Sequence, residues 1–113
     1  MTMTFQRLLA QAVVTDLPVA ERWYSALFDS PPQDRPMDGL LQWQLGDSFG
    51  VQVWLDPGRA GRSAMVVEES DLDALAARVS AAGIDHDDPQ PGGGARVLIL
   101  TDPDGNQVVL TGA

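Results

Sequence analysis

The sequence predicts an α+β fold built from two βαβββ modules, in which each module runs strand, helix and then three strands. The first observation is the hairpin turn within Thr101–Leu110, TDPDGNQVVL. Pro103 fixes φ for the second position of a type I turn, and Gly105 can adopt the left-handed conformation that closes a bulged hairpin. We therefore expect Val97–Leu100 and Gln107–Leu110 to pair in antiparallel fashion.

The second observation is a weak internal repeat with an offset of 55 residues. The offset relates the last turn and strand to an earlier segment through the pairs Asp102 and Asp47, Gly105 and Gly50, Gln107 and Gln52, Val108 and Val53, and Leu110 and Leu55. It also relates Asp71-Leu72 to Asp16-Leu17, and each of these pairs opens a helical pattern. The common register predicts a single domain with module one at 1–56, a linker at 57–62 and module two at 63–113.

The elements predicted for module one are a strand at Phe5–Val14, a helix from Asp16 to Phe28, an irregular edge strand at Gln33–Asp38, and a hairpin of Leu40–Leu45 with Val51–Leu55. Asp16 is the expected N-cap of the helix, and Pro18 lies in the first turn, where its missing N–H costs nothing. Trp23 and Tyr24 are expected to pack the helix onto the sheet, because they fall on its apolar stripe.

The hairpin of module one alternates between apolar and amide side chains. A three-residue loop would place Leu45 opposite Val51 and Trp43 opposite Val53, which separates the two kinds of residue. The predicted core face contains Leu41, Trp43, Leu45, Val51, Val53 and Leu55. The other face contains Gln42, Gln44, Gln52 and Trp54, and is polar enough to line a cavity.

The elements predicted for module two are a strand at Ser63–Glu69, a helix at Asp71–Ala82, a short acidic strand at Ile84–Pro89, and the final hairpin. Ser70 with Asp73 forms a box-like N-terminal cap, and Gly83 closes the helix. Pro91–Gly94 is expected to be a loop. This glycine-rich loop does not indicate a phosphate site, because a strand rather than a helix follows it.

Composition excludes several classes of protein. The 113 residues contain 44% hydrophobic and 20% charged residues, which is typical of a globular domain. The net charge of −9, with only seven basic residues, argues against a nucleic-acid partner. There is no cysteine, so no disulfide or thiolate metal site can form. No signal peptide or apolar run of membrane-spanning length is evident, so we expect a cytoplasmic protein without a membrane partner.

The order of elements, Val13–Leu17 before the first helix and Asp102–Asn106 in the last hairpin together resemble the vicinal oxygen chelate superfamily. This superfamily includes glyoxalase I, fosfomycin-modifying enzymes, extradiol dioxygenases and bleomycin-resistance proteins. The Leu-Gly usual after the first helix is Leu27-Phe28 here. The resemblance implies the glyoxalase/bleomycin-resistance fold, a cupped, barrel-like mixed sheet from two modules that enclose one cavity. It also implies a homodimer, which in this family can exchange modules between chains.

The metal ligands of the family map onto four positions of this sequence. The first-strand ligand falls on Leu9, its duplicate on Ala64, the last-strand glutamate on Val109, and the partner of that glutamate in module one on Trp54. A catalytic metal site needs about three imidazole or carboxylate ligands, and none of these side chains can serve. An alignment shifted by two residues would substitute Gln11 or Gln107, still without a histidine or carboxylate beside them. The sequence therefore predicts no metal, no cofactor and no catalytic residue, and weighs against an enzyme.

The only histidine, His86, lies among Asp85, Asp87 and Asp88. This cluster has the residue types of a surface ion site. A solvated acidic edge that discourages strand pairing is the preferred interpretation.

The expected cavity has apolar walls, one indole and several neutral amides. Its predicted lining is Leu9, Gln11, Gln42, Gln44, Gln52, Trp54, Ala64, Val97, Ile99, Gln107 and Val109. Such a surface suits a flat or amphipathic organic molecule, aromatic or cationic. The leading hypothesis is a metal-free binding protein similar to the bleomycin-resistance members, which sequester an antibiotic. The alternatives are a metal-dependent lyase, isomerase or dioxygenase of the superfamily, or side chains that merely fill the cup or a dimer seam.

Overall fold

The computed structural model describes residues 4–113 and contains two mixed four-stranded sheets and two helices. The elements are β1 Leu8–Val14, α1 Leu17–Phe28, β2 Asp34–Met37, β3 Leu40–Gln44, β4 Phe49–Leu55, β5 Ala64–Glu69, α2 Leu72–Ala81, β6 Gln90–Gly92, β7 Ala95–Thr101 and β8 Gln107–Gly112. The predicted α+β class and the twofold βαβββ order are confirmed.

Each module forms one sheet of the same topology. The strand order is β1-β4-β3-β2 in the first sheet and β5-β8-β7-β6 in the second. β1 pairs in parallel with β4, as β5 does with β8, and the remaining neighbours are antiparallel. β1 and β5 are therefore edge strands, and they contact each other where the two modules meet.

The helices cover one face of each sheet and bury a single core. α1 packs on β4, and α2 packs on β7 and β8. Tyr24 and Trp43 are its largest fully buried side chains, and their rings lie 6.1 Å apart between centroids. Burying this much aromatic and aliphatic surface is the main stabilising contribution to the fold. The opposite face of each sheet carries no helix, and we call it the open face.

Local sequence signals fix the helix ends. The Asp16 side chain accepts a hydrogen bond from the Val19 N–H, as predicted for an N-cap. In α2 the cap is Asp71, which accepts from the Ala74 N–H, so the predicted capping role of Ser70 is wrong. α1 ends at Asp29, which adopts the left-handed conformation. Gly83, also at positive φ, follows α2 as expected.

Two strand predictions were wrong in position. The predicted strand at 84–89 is irregular, and β6 lies instead at Gln90–Gly92, partly within the predicted Pro91–Gly94 loop. In module one the hairpin loop is longer than predicted, because Trp43 pairs with Val51 and Leu41 with Val53. This shift of two residues preserves the side-chain alternation, so Leu41, Trp43, Val51 and Val53 are buried as expected.

The internal repeat also has two offsets rather than one. Leu9 pairs with Gly50, and its counterpart 55 residues later, Ala64, pairs with Gln107. Gly50 and Gln107 are 57 residues apart, so the offset is 57 in the hairpins. The structural counterpart of Val109 in module one is therefore Gln52 and not Trp54.

The Asp-Pro-Asp-Gly-Asn motif joins the two modules. Asp102 accepts hydrogen bonds from the Tyr24 hydroxyl at 2.7 Å and the Asn106 side-chain amide at 2.8 Å, and Asn106 also donates to the Val13 carbonyl at 2.8 Å. Asp102 and Asn106 are only 4% and 1% exposed. Buried polar groups of this kind require partners, so the motif acts here as a structural joint.

Two further contacts connect the modules. The Thr15 hydroxyl and N–H donate to the Asp104 carboxylate at 2.6 and 3.1 Å. Arg78 of α2 donates to the carbonyls of Ala26 and Leu27 at 3.0 and 2.7 Å, which satisfies the last turn of α1. Within residues 4–113, neither helix is long and apolar enough to cross a membrane.

Candidate ligand-binding site

The predicted site residues fall on the two open faces. Six of them lie on the first sheet: Leu9, Gln11, Gln42, Gln44, Gln52 and Trp54. The other five lie on the second sheet: Ala64, Val97, Ile99, Gln107 and Val109. Their common orientation follows from strand alternation, since the intervening residues of β3, β4, β7 and β8 point into the core.

Three glutamines form a hydrogen-bonded row across the first open face. Gln11, Gln52 and Gln42 are direct neighbours in register on β1, β4 and β3. The Gln11 side chain donates to Gln52 at 2.8 Å, and Gln52 donates to Gln42 at 2.8 Å. We call this set the amide row. It joins residues that the sequence analysis placed on one face without any signal that they would bond to one another.

The remaining residues of this face differ in how available they are. Gln44 is already engaged, because it accepts from Arg7 at 2.7 Å and donates to the Gly46 carbonyl. Trp54 is half-buried on β4, two residues beyond Gln52, and Leu9 is half-buried on β1, two residues before Gln11. The indole and the amide row therefore form one continuous surface.

The second open face carries hydrocarbon at the equivalent positions. Val66, Val109 and Ile99 are direct neighbours on β5, β8 and β7, and they are the structural counterparts of Gln11, Gln52 and Gln42. We call this set the apolar row. Val66 is 69% and Ile99 50% exposed.

Within one chain the two open faces do not enclose each other. Gln11 on the first face and Ala64, Ile99 and Gln107 on the second are all exposed. The closed cup expected from the resemblance is therefore absent from the described part of a single chain. A different cavity of about 420 Å³ lies between the edge strands β1 and β5, lined by Leu8, Ala10, Leu45, Phe49, Gly50, Val51, Met65, Val66, Val67 and Glu68. It depends on how the sheets meet, which no local sequence signal reveals.

The positions that correspond to metal ligands do not fit a metal. They hold Leu9, Ala64 and Val109, with Gln52 at the fourth place by strand register, so together they offer one amide oxygen. Zinc, nickel, manganese and iron sites need several imidazole, thiolate or carboxylate ligands. Across residues 4–113, no three His, Cys, Asp or Glu side chains are grouped so that they could hold an ion.

His86 is held by the end of α2 rather than by its acidic neighbours. Its Nε2 lies 2.6 Å from the Ser80 hydroxyl and 3.2 Å from the Ala76 carbonyl, and its Nδ1 lies 2.7 Å from the Asp87 carbonyl. These contacts use both ring nitrogens. They indicate a structural role for His86.

Comparison with known proteins identifies relatives of this arrangement. The sequence profile described as Glyoxalase/Bleomycin resistance protein/Dioxygenase superfamily matches residues 11–110. The crystal structure of a glyoxalase / bleomycin resistance protein from Catenulispora acidiphila DSM 44928 is 26% identical with a TM-score of 0.88, covering 96% of this chain and 98% of that chain. No protein with a curated description matches the chain in sequence.

Two further structures share the fold at lower identity. TnmS3, an antibiotic binding protein from Streptomyces sp. CB03234, is 24% identical with a TM-score of 0.80, and the match covers 98% of both chains. A bleomycin-binding protein complexed with bleomycin is 19% identical with a TM-score of 0.79, covering 95% of this chain and 98% of that chain.

Proposed function

The chain belongs to the Glyoxalase/Bleomycin resistance protein/Dioxygenase superfamily, and we propose that it is a metal-free protein that binds and sequesters a small organic molecule such as an antibiotic. The observation that carries this proposal is the replacement of the four ligand positions by hydrocarbon and a single amide. The surface around them, an indole beside neutral amides, is suited to holding a molecule rather than activating one. Relatives of the same fold that bind bleomycin and another antibiotic support this reading.

The proposal includes a homodimer that acts in the cytoplasm. In the dimer, the first open face of one copy would cover the second open face of its partner, so that each cup takes one wall from each chain. The exposed apolar row supports this pairing, because exposed clusters of large apolar side chains mark interaction surfaces.

Ligand binding is tested through tryptophan fluorescence. We expect the fluorescence of the wild-type protein to change on titration with bleomycin or another antibiotic that it binds. Trp54→Ala should remove most of the change and weaken binding by roughly tenfold, about 1.4 kcal/mol, because stacking on the indole is lost. Trp23→Phe is the matched control, since Trp23 lies on α1 away from the open face, and it should keep the response.

Two results would contradict the proposal. One is a flat titration of wild type with every antibiotic tried. The other is a stoichiometric, tightly held transition metal in protein purified without an affinity tag, which would favour the metal-dependent enzyme.

The dimer is tested by placing a charge in the apolar row. Wild type should have twice the chain mass of 12.1 kDa by light scattering. Val66→Arg should weaken association by roughly a hundredfold or more, because an unpaired charge would be buried at the contact. The fold of each chain should survive, since the Val66 side chain is 69% exposed. A wild-type protein that stays monomeric at high concentration would refute the pairing.

A further inference from the structure

The amide row has a defined hydrogen-bonding polarity. Donation runs in one direction, from Gln11 to Gln52 and from Gln52 to Gln42. Successive strands are about 4.8 Å apart, so the row spans roughly 10 Å from Gln11 to Gln42, close to the length of a tricyclic aromatic molecule. Hydrogen bonds in series polarise one another, which strengthens both ends of such a row.

The row has unused donors and acceptors for a ligand. Each bond within it engages one N–H of an amide group that has two, and one lone pair of an oxygen that has two. Gln11 keeps its carbonyl oxygen free at the β1 end, and Gln42 keeps its amide nitrogen free at the β3 end. Gln52, between them, is half-buried and keeps one N–H. A bound molecule therefore meets alternating acceptor and donor groups that carry no net charge.

Ionised groups lie at the margins of this surface. Asp34 is next to Gln42 in register, but it lies on the outermost strand β2 and is exposed, so its carboxylate stays hydrated. Arg7 is exposed and donates to Gln44, beyond the row. The three central positions are neutral, and the counterpart positions on the second sheet are hydrocarbon.

We propose that the amide row determines specificity and selects a neutral, planar molecule with alternating donor and acceptor groups along one edge and hydrocarbon on its other side. This inference rests on the proposed binding function and on the pairing of the two open faces. The polar edge lies along Gln11, Gln52 and Gln42, and the hydrocarbon faces the apolar row. A cation of the same size is disfavoured at the centre, because it would lose water without gaining an anionic partner.

The test compares two fluorescent tricyclic probes in a buffer of high ionic strength, which screens the general attraction of an acidic protein for cations. Lumichrome is neutral, with carbonyl and N–H groups along one edge and two methyl groups on the other. 9-Aminoacridine is of similar size and cationic. We expect wild type to bind lumichrome at least about tenfold more tightly than 9-aminoacridine.

Three variants separate the row from its surroundings. Gln52→Leu removes the central amide and should weaken lumichrome binding at least about tenfold, with less than about a threefold effect on 9-aminoacridine. Gln52→Glu should reverse the preference by adding an anionic partner for the cation. Gln44→Leu is the matched control on the same face, because its amide is already engaged, and it should leave the preference unchanged.

The outcomes distinguish this inference from the binding function itself. Lumichrome that fails to bind wild type, or equal losses in Gln52→Leu and Gln44→Leu, would overturn the inference while an antibiotic response through Trp54 would keep the function. A wild-type protein that responds neither to the probes nor to any antibiotic would overturn both. Thermal unfolding of each variant checks that a loss of binding is not a loss of fold.

Discussion

Asp102→Ala should lower the free energy of unfolding by about 3 kcal/mol or more, which is a large part of the 5–15 kcal/mol typical of a domain. The Asp102 carboxylate accepts from the Tyr24 hydroxyl and the Asn106 amide, and from the N–H groups of Asp104 and Asn106 at 2.9 Å each. Its removal leaves four donors without this acceptor in a site from which water is nearly excluded. Urea denaturation followed by tryptophan fluorescence measures the loss.

Asp104→Ala is the control within the same motif. The Asp104 carboxylate accepts from Thr15 alone, at a partly exposed position, so the expected cost is about 1 kcal/mol. Equal losses in the two variants would show that the turn itself, rather than the buried network around Asp102, stabilises the contact between the modules.

Stability should fall steeply above pH 10 because of Tyr24. Burial, together with the negative charge of Asp102, raises the pKa of the Tyr24 phenol far above its ordinary value of 10.0. The folded protein therefore keeps this proton at a pH where the unfolded chain releases it. The free energy of unfolding should decrease by up to about 1.4 kcal/mol for each pH unit above 10, while the stabilisation is fully present below that pH.

The composition makes this titration easy to interpret. Tyr24 is the only tyrosine, all seven basic residues are arginines, and there is no cysteine. Phenolate absorbance should therefore appear only as the protein unfolds, and Tyr24→Phe should flatten the alkaline dependence at a fixed protein concentration. Phenolate that forms near pH 10 in a protein that is still folded would contradict the buried contact.

The sequence was sufficient to predict the fold because its strongest signals are local and mutually consistent. Asp16 and Gly83 mark helix ends, Gly105 closes a turn, and alternation in β3 and β4 separates core from surface. The same locality explains the errors. The strand predicted at 84–89 had polar alternation but no partner in register, whereas the three residues of β6 pair with β7 in spite of Pro91.

The site was predicted less completely, because its arrangement depends on contacts between distant segments. The sequence analysis identified the glutamines as one face of the sheet, but their mutual bonds depend on the register of three strands. It took Trp54 as the counterpart of Val109, since a single offset was assumed for the repeat, and strand pairing gives Gln52. The function of Asp102 and Asn106 as a joint was also missed, because a turn motif alone does not reveal what its side chains reach across the fold.

The joint between the modules lies apart from both open faces. The bonds of Asp102, Asn106 and Thr15 connect the modules beneath and beside the sheets, and they involve neither the amide row nor the apolar row. Point mutations on either row can thus alter recognition at little cost to folding. In evolutionary terms, such a scaffold can acquire a new drug as its target one wall at a time.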